Sequence, residues 1–389
     1  MKKVFVLLLA VITASAFAQE LTISGEAKGG VYWEKIQDRA GTENSLKEIV
    51  RLGSVDDAGS DYGRFRLNLD YLNASGILGF KVRFNWDDYL KGNPNGPEWA
   101  YAFGFGNFFN DQLTLSLGKL GSSPWGTGGP EMWKELEIAP RGGIRFEYKP
   151  AFIPSNAGKL NVGFVLNWVD DVDEAAQGGK EATLLDLLQE TVVGVSYTHE
   201  YFMVRGAYRF DSKLDNAAGR SGQDIEVEGT KLVYRVEEYA LRRLLPGLSI
   251  WALGNFQGLG SSNPEYCFKT VNWLFIQYAP QAFTAQIRLG LDAADNRTVF
   301  FTRPSFAYNL FDGLLVPSII GAIAWDVGEF KVYADEPFSY IEFEPKLQVN
   351  FAPGAYAAFS YYYRLEYKFP SFPPEQTKQY MNLRFGISF

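Results

Sequence analysis

Alternation of apolar and polar residues along most of the chain is the feature that most constrains its fold. In Lys378–Phe389 every second side chain from Met381 to Phe389 is apolar, with small or polar residues between them. A period of two is the repeat of a β-strand that has one apolar and one polar face. The same alternation recurs at 21–33, 62–72, 77–89, 160–168, 202–210, 283–291 and 355–367. These segments predict an all-β chain.

Strand and connector lengths favour a membrane barrel over a soluble sheet. The predicted strands have roughly 10–12 residues, enough to cross a bilayer at a tilt, whereas about five or six are usual in soluble sheets. The connectors alternate between short ones at 73–76, 109–111, 151–157, 200–201, 241–246, 280–281, 310–313 and 352–354 and long ones at 34–61, 90–97, 121–141, 170–190, 212–228, 259–268, 293–296, 327–337 and 368–377. Such sorting is typical of outer-membrane barrels. We predict a transmembrane antiparallel up-and-down β-barrel of about 18 strands, or 16 if the ambiguous segment 229–240 is helical.

The first residues have the pattern of a secretory signal peptide. Lys2 and Lys3 precede an apolar stretch over 4–12, and small residues lead to Ala18. The apolar stretch is too short to span a bilayer as an anchor. We predict that 1–18 is a signal peptide and that 19–389 is a single barrel domain with both termini in the periplasm.

Composition narrows the function classes. Hydrophobic residues make up 47 % of the chain, yet the mean hydropathy is −0.14, so apolar residues are interspersed rather than grouped. The formal charge of −8 argues against a nucleic-acid partner. Cys267 is the single cysteine, and the single histidine, His199, lies beside Glu200 at a predicted turn. We therefore predict no catalytic activity, no metal site and no cofactor.

The signal peptide, alternating strands, sorted connectors and terminal aromatic strand together resemble the porin-like outer-membrane β-barrels of Gram-negative bacteria. The aromatic content and the Phe-terminated strand are also similar to spirochaete-type outer-membrane barrels. The resemblance implies an outer-membrane location, contact with membrane lipid, and an assembly signal at Phe385, Ile387 and Phe389 that the barrel assembly machinery recognises. It implies a passive channel for small hydrophilic solutes. The oligomeric state stays open, with a homotrimer as one candidate.

The polar faces of the strands carry the candidate pore-lining residues. Charges at membrane depth are too costly to face lipid, and a barrel this wide leaves a water-filled lumen. The predicted lining residues are Arg64, Arg66, Lys81, Arg83, Arg145, Arg205, Arg209, Arg288, Arg364 and Arg384. Their excess over acidic residues on the clearest strands predicts a bias toward anions. The alternative is that they pair with neighbouring carboxylates and stabilise the wall.

The connector 121–141 is the candidate constriction loop. It combines many glycines with aromatic residues that are unfavourable in water. Folding into the lumen would bury them, and we predict a constriction at Trp125, Glu131 and Trp133. Packing on the outer rim is the alternative. Two other functions stay open: a substrate-specific transporter, for example of hydrophobic compounds, and a surface-exposed structural or adhesive barrel.

Overall fold

A closed β-barrel is formed by the part of the chain that the computed structural model describes. These residues are 20–38, 45–52, 54–56, 59–61, 63–87, 96–120, 124–127, 142–167, 191–210, 231–257, 269–294, 297–326, 339–367 and 376–389. Besides strands they include a short helix, α1 (Ala240–Leu244), and a 3-10 turn at Ser155–Ala157. No helix within these ranges is long and apolar enough to cross a membrane.

Eighteen of the described strands close into one antiparallel barrel. The described strands are β1 (Glu20–Asp38), β2 (Ser45–Leu52), β3 (Ser54–Asp56), β4 (Gly59–Asp61), β5 (Arg64–Leu72), β6 (Leu78–Asp87), β7 (Glu98–Phe108), β8 (Leu113–Lys119), β9 (Gly142–Tyr148), β10 (Lys159–Asn167), β11 (Val192–Thr198), β12 (Phe202–Arg209), β13 (Lys231–Glu238), β14 (Leu248–Gln257), β15 (Lys269–Tyr278), β16 (Phe283–Ala294), β17 (Arg297–Tyr308), β18 (Leu315–Asp326), β19 (Ser339–Ala352), β20 (Ala355–Tyr367) and β21 (Gln376–Ser388). The barrel itself consists of β1 and β5 to β21, while β2 pairs only with β1, and β3 pairs with β4. Strand β1 pairs with β5, each of β5 to β20 pairs with the next strand, and β21 pairs with β1. The predicted barrel of about 18 strands is confirmed.

The alternation in the sequence becomes two faces of the barrel wall. On β16, Ile287 and Leu289 are 37 % and 40 % exposed on the outside, while Arg288 between them points inward. Large apolar side chains are exposed in the same phase around the barrel, for example Val193, Phe300 and Leu383. A continuous apolar surface of this kind is unfavourable in water and suits the hydrocarbon of a bilayer.

Most of the short connections lie at one end of the barrel and most of the longer ones at the other, as predicted. The exception is the connection between β16 and β17, which is at the long end and has only two residues. The short end holds 73–77, 109–112, 149–158, 199–201, 239–247, 279–282, 309–314 and 353–354. Glu20 lies at this end, since it is opposite Leu72 of β5, and so does Phe389. The ambiguous segment 229–240 contains strand β13, and helix α1 begins only at Ala240.

Several expectations from the sequence are wrong. The predicted connector 34–61 contains the strands β2, β3 and β4. Residues 34–38, predicted to begin a connector, continue β1, because β21 pairs with one edge there and β2 with the other. The uniform strand length of roughly 10–12 residues also fails. Strands β8 to β13 have seven to nine residues and β14 to β21 have ten to fourteen, so the described wall is lower on one side.

Barrel closure joins the two ends of the described chain. The Gly25 amide donates to the Phe389 carbonyl at 2.8 Å, and the Phe389 amide donates to the Gly25 carbonyl at 3.0 Å. A Cβ on Gly25 would lie 2.5 Å from the Arg66 carbonyl oxygen and 2.7 Å from the Phe389 ring. Glycine at this position lets β1 accept β5 on one edge and the terminal phenylalanine on the other.

Replacing Gly25 with Ala tests this closure. We expect Gly25→Ala to reduce the free energy of unfolding by about 1–3 kcal/mol, because the added methyl overpacks the junction. Unfolding in guanidinium of the refolded barrel measures the change. Gly104→Ala is the matched control, since a Cβ there meets nothing closer than 3.8 Å, and its effect should stay within about 0.5 kcal/mol. Equal effects of the two substitutions would contradict the close approach at Gly25.

Candidate functional site

The inner wall of the barrel is the candidate functional site. Strand register places all ten predicted lining residues on the inward face. Other inward cationic residues are Lys28, Lys159, Lys231, Arg235, Arg303, Lys346 and Lys378. The inward acidic residues with described side chains are Glu20, Glu26, Glu34, Asp70, Glu98, Glu147, Glu237, Glu342, Glu344 and Glu366. Cationic residues thus outnumber acidic ones on the described inner wall.

Many of these charges pair within the wall. The Arg145 Nε lies 2.8 Å from a Glu147 carboxylate oxygen, and both residues are 8 % exposed. One Glu366 carboxylate oxygen forms ion pairs with both Arg364 and Lys378, at 2.9 and 2.8 Å. Such pairs support the alternative in which arginines stabilise the wall, because each buried charge needs a partner. Cationic side chains still outnumber acidic ones on the described inner wall, and two cations share the Glu366 carboxylate.

A segment of the connector after β8 lies against the inner wall. The Trp125 side chain is fully buried, and its indole covers Gly163 of β10 and Gly194 of β11. A Cβ on Gly194 would lie 2.1 Å from the indole, so only glycine leaves room for the ring. Trp125 also packs with a buried apolar cluster that contains Phe103, Leu120, Val165, Val192, Ala207 and Val233.

Two arginines hold the end of this segment. Arg205 of β12 and Arg235 of β13 are directly opposite in register, an arrangement in which like charges repel. Both donate to the Thr127 carbonyl oxygen, at 2.7 and 2.8 Å. One shared acceptor therefore offsets the repulsion and fixes the segment 124–127 to the wall. We call 124–127 the inserted segment.

Sequence reasoning missed a row of inward-facing aromatic rings. Trp251, Phe275, Trp273 and Phe301 form successive ring contacts on β14, β15 and β17, with centroids 4.8, 6.0 and 5.1 Å apart. The row, which we call the aromatic arc, ends at Tyr340 of β19, 6.5 Å from Phe301. These strands are apolar on both faces, so the contrast that identifies an inward face is weak. The sequence signal for the inward face of these strands was the polar pair Gln277 and Gln286, which share a hydrogen bond there.

Several inward arginines lie over aromatic rings. The Arg288 guanidinium is 4.7 Å from the Trp273 ring centroid and 4.8 Å from that of Phe275. Arg83 lies 5.0 Å from the Tyr101 ring. A guanidinium stacked on a ring keeps its N–H groups directed sideways in its own plane, where they can bind a carboxylate. The inner wall thus presents cations whose orientation is fixed by aromatic side chains.

The histidine lies at the short end of the barrel, in the turn 199–201. Its ring packs beside Tyr197, Tyr201 and Phe202, with centroids 5.2–6.4 Å away. Hydrogen bonds from the Tyr201 side chain and then from Arg243 lower the pKa of the neighbouring Glu200 carboxyl below its ordinary value.

Within the described ranges, no group of three or more His, Cys, Asp or Glu residues could hold a metal ion.

Some predicted positions lie outside the described residues. These are the signal peptide 1–18, Cys267, and the two constriction residues Glu131 and Trp133. Of the predicted constriction residues, Trp125 alone falls within the described part of the chain. Phe385, Ile387 and Phe389 lie on or directly after β21 with exposed side chains.

The seating of Trp125 can be tested by thiol labelling. In a Cys267→Ser background, Thr127→Cys should react slowly with maleimide, because residue 127 is fully buried. Adding Gly194→Ala should raise the labelling rate about tenfold or more, since overpacking of roughly 1–3 kcal/mol increases the population of the displaced segment. Gly104→Ala is the control and should leave the rate unchanged. A slow rate in the Gly194→Ala protein would show that the indole does not depend on this glycine.

Comparison with known proteins identifies the fold. No protein-family model and no curated protein matches this chain. An anion-selective porin from Comamonas acidovorans has a similar structure, with 12 % identity, 95 % of this chain and 100 % of that chain covered, and a TM-score of 0.53. The outer membrane channel DcaP of Acinetobacter baumannii is similar over 95 % of this chain and 97 % of its own, with 9 % identity and a TM-score of 0.51. The chain therefore shares the barrel fold of these outer-membrane proteins.

Proposed function

We propose that this protein is a porin-like channel of a bacterial outer membrane, through which small hydrophilic solutes diffuse. The observation that carries the proposal is the closed barrel of 18 strands with an apolar exterior and a charged interior. A barrel of this strand number is too wide for wall side chains alone to fill. The likeness of its fold to an anion-selective porin and to an outer membrane channel supports the same function.

The proposal includes a location and a topology. Residues 1–18 serve as the signal peptide, and the barrel over 19–389 contacts membrane lipid. Both termini and the short turns face the periplasm, as is usual for barrels with short turns at one rim. The terminal strand, with Phe385, Ile387 and Phe389, is the signal for the barrel assembly machinery. The spirochaete-type likeness and a homotrimer stay predictions from the sequence.

The surplus of inward cations supports a preference for anions. Charges that line a narrow aqueous path set the local potential and raise the concentration of counter-ions there. The inserted segment narrows the path, because it occupies space on the inner side of β10 to β13. An arginine that is paired with a wall carboxylate contributes less to this potential than each cation that exceeds the number of carboxylates.

Ion selectivity tests the pore and its lining together. Purified protein in a planar bilayer should give steady ohmic openings, with a reversal potential in a salt gradient that has the sign of anion preference. Changing Arg64, Arg66 and Arg83 together to Glu should lower the ratio of anion to cation permeability roughly threefold or more. Lys149→Glu, at a short turn, is the charge-reversal control. Absence of openings would contradict the channel, and an unmoved reversal potential would show that these residues do not line the path.

The inserted segment should limit conductance. Trp125→Ala removes a buried side chain whose truncation costs about 3–5 kcal/mol, so the segment should leave the wall and single-channel conductance should change from a single level to larger or fluctuating levels. Trp325→Ala is the matched control, since that indole is 49 % exposed on the outer surface. Identical conductance in the wild-type and Trp125→Ala proteins would mean that the segment does not border the conducting path.

A further inference from the structure

The aromatic arc and the arginines above it form a feature that a general pore does not require. Trp273 and Phe275 are 6 % and 3 % exposed, because the half-buried Arg288 lies over both rings. Trp251 and Phe301 at the two sides are half-buried and reach the lumen. The surface that a solute meets here is therefore one guanidinium between two aromatic rings.

A second arginine lies beside Arg288. Arg303 of β17 is directly opposite Arg288 in register, and its guanidinium lies 3.8 Å from a Glu342 carboxylate oxygen. At two other places on the inner wall, a pair of opposed cations shares one oxygen atom. Arg205 and Arg235 share the Thr127 carbonyl, and Arg364 and Lys378 share the Glu366 carboxylate. Arg288 and Arg303 thus bring two guanidinium groups side by side on β16 and β17.

The arc also lies next to the narrowed part of the lumen. Arg235, which holds the inserted segment, is the register partner of Leu253, and Leu253 packs in the same apolar cluster as Trp273 and Phe275. A solute that passes the inserted segment is thereby brought alongside the arc. The position of the arc beside the inserted segment, and its combination of a guanidinium with aromatic rings, both favour one class of solute.

We propose that the arc binds aromatic carboxylates during their passage, a substrate class that rests on the channel function proposed above. The carboxylate would bind the N–H groups of Arg288, in the bidentate geometry that guanidinium groups favour. The ring would stack against the half-buried Phe301 of the neighbouring strand β17, whose face attracts a flat apolar partner. Inorganic anions satisfy the charge requirement but gain nothing from the rings.

Current interruption by benzoate measures this binding in the planar bilayer. Benzoate should block single channels transiently, whereas cyclohexanecarboxylate, with the same charge and no aromatic face, and benzamide, with the ring and no charge, should each require about tenfold more solute for half-maximal block. Arg288→Gln and Phe301→Leu should each weaken benzoate block by about tenfold. Lys149→Gln, which removes an exposed cation at a short turn outside the lumen, is the control and should leave the block unchanged.

Three results would overturn the proposal and leave a general anion path. They are equal block by benzoate and cyclohexanecarboxylate, block by phosphate as strong as that by benzoate, and unchanged benzoate block in Arg288→Gln. Equilibrium dialysis of benzoate against the detergent-solubilised protein measures the same site without conduction. If no openings occur but benzoate binds in an Arg288-dependent way, the binding site stands and the channel function fails. Heat-modifiable electrophoretic mobility confirms that each variant is folded.

Discussion

Hydrogen bonding of the backbone is the constraint on which the rest of this structure depends. A strand surrounded by lipid has no water to satisfy its N–H and C=O groups, so the sheet must close on itself. Here the closure is made where β1 meets β21, and the last bonds join Gly25 and Phe389. Because β1 also accepts β5 and β2 along its other edge, one long strand connects the beginning of the barrel to its end.

Closure determines the chemistry of the interior. Once the exposed apolar residues lie outside, every alternate residue lies inside, including arginines that could not face lipid. The interior then has to accommodate cations on neighbouring strands, and it does so with shared acceptors such as Glu366 and with aromatic rings below the guanidinium groups. Positive charge and aromatic surface therefore occur together on the inner wall.

The two sides of the barrel have different roles. On the lower side, β10 and β11 carry Gly163 and Gly194, whose missing side chains make room for Trp125. On the taller side, β14 to β17 carry the aromatic arc. The inserted segment lies close to the arc through Arg235 and Leu253, so the two features are neighbours on the inner wall. In the function proposed above, the low wall would narrow the path and the tall wall would contact the solute.

The sequence by itself determined a closed barrel of about 18 strands and the end at which most short turns lie, and it predicted an inward position for the arginines, because a period of two records directly which face each residue occupies. It did not indicate that 34–38 continue β1, since that depends on a partner strand distant in sequence. It also missed Trp273, Phe275 and Phe301, because strands with apolar residues on both faces show no contrast between inside and outside. Tertiary structure alone brought Trp125 to Gly194, Thr127 to Arg205 and Arg235, and Arg288 to its rings. Such contacts depend on the register and curvature of the closed barrel, which local pattern does not encode.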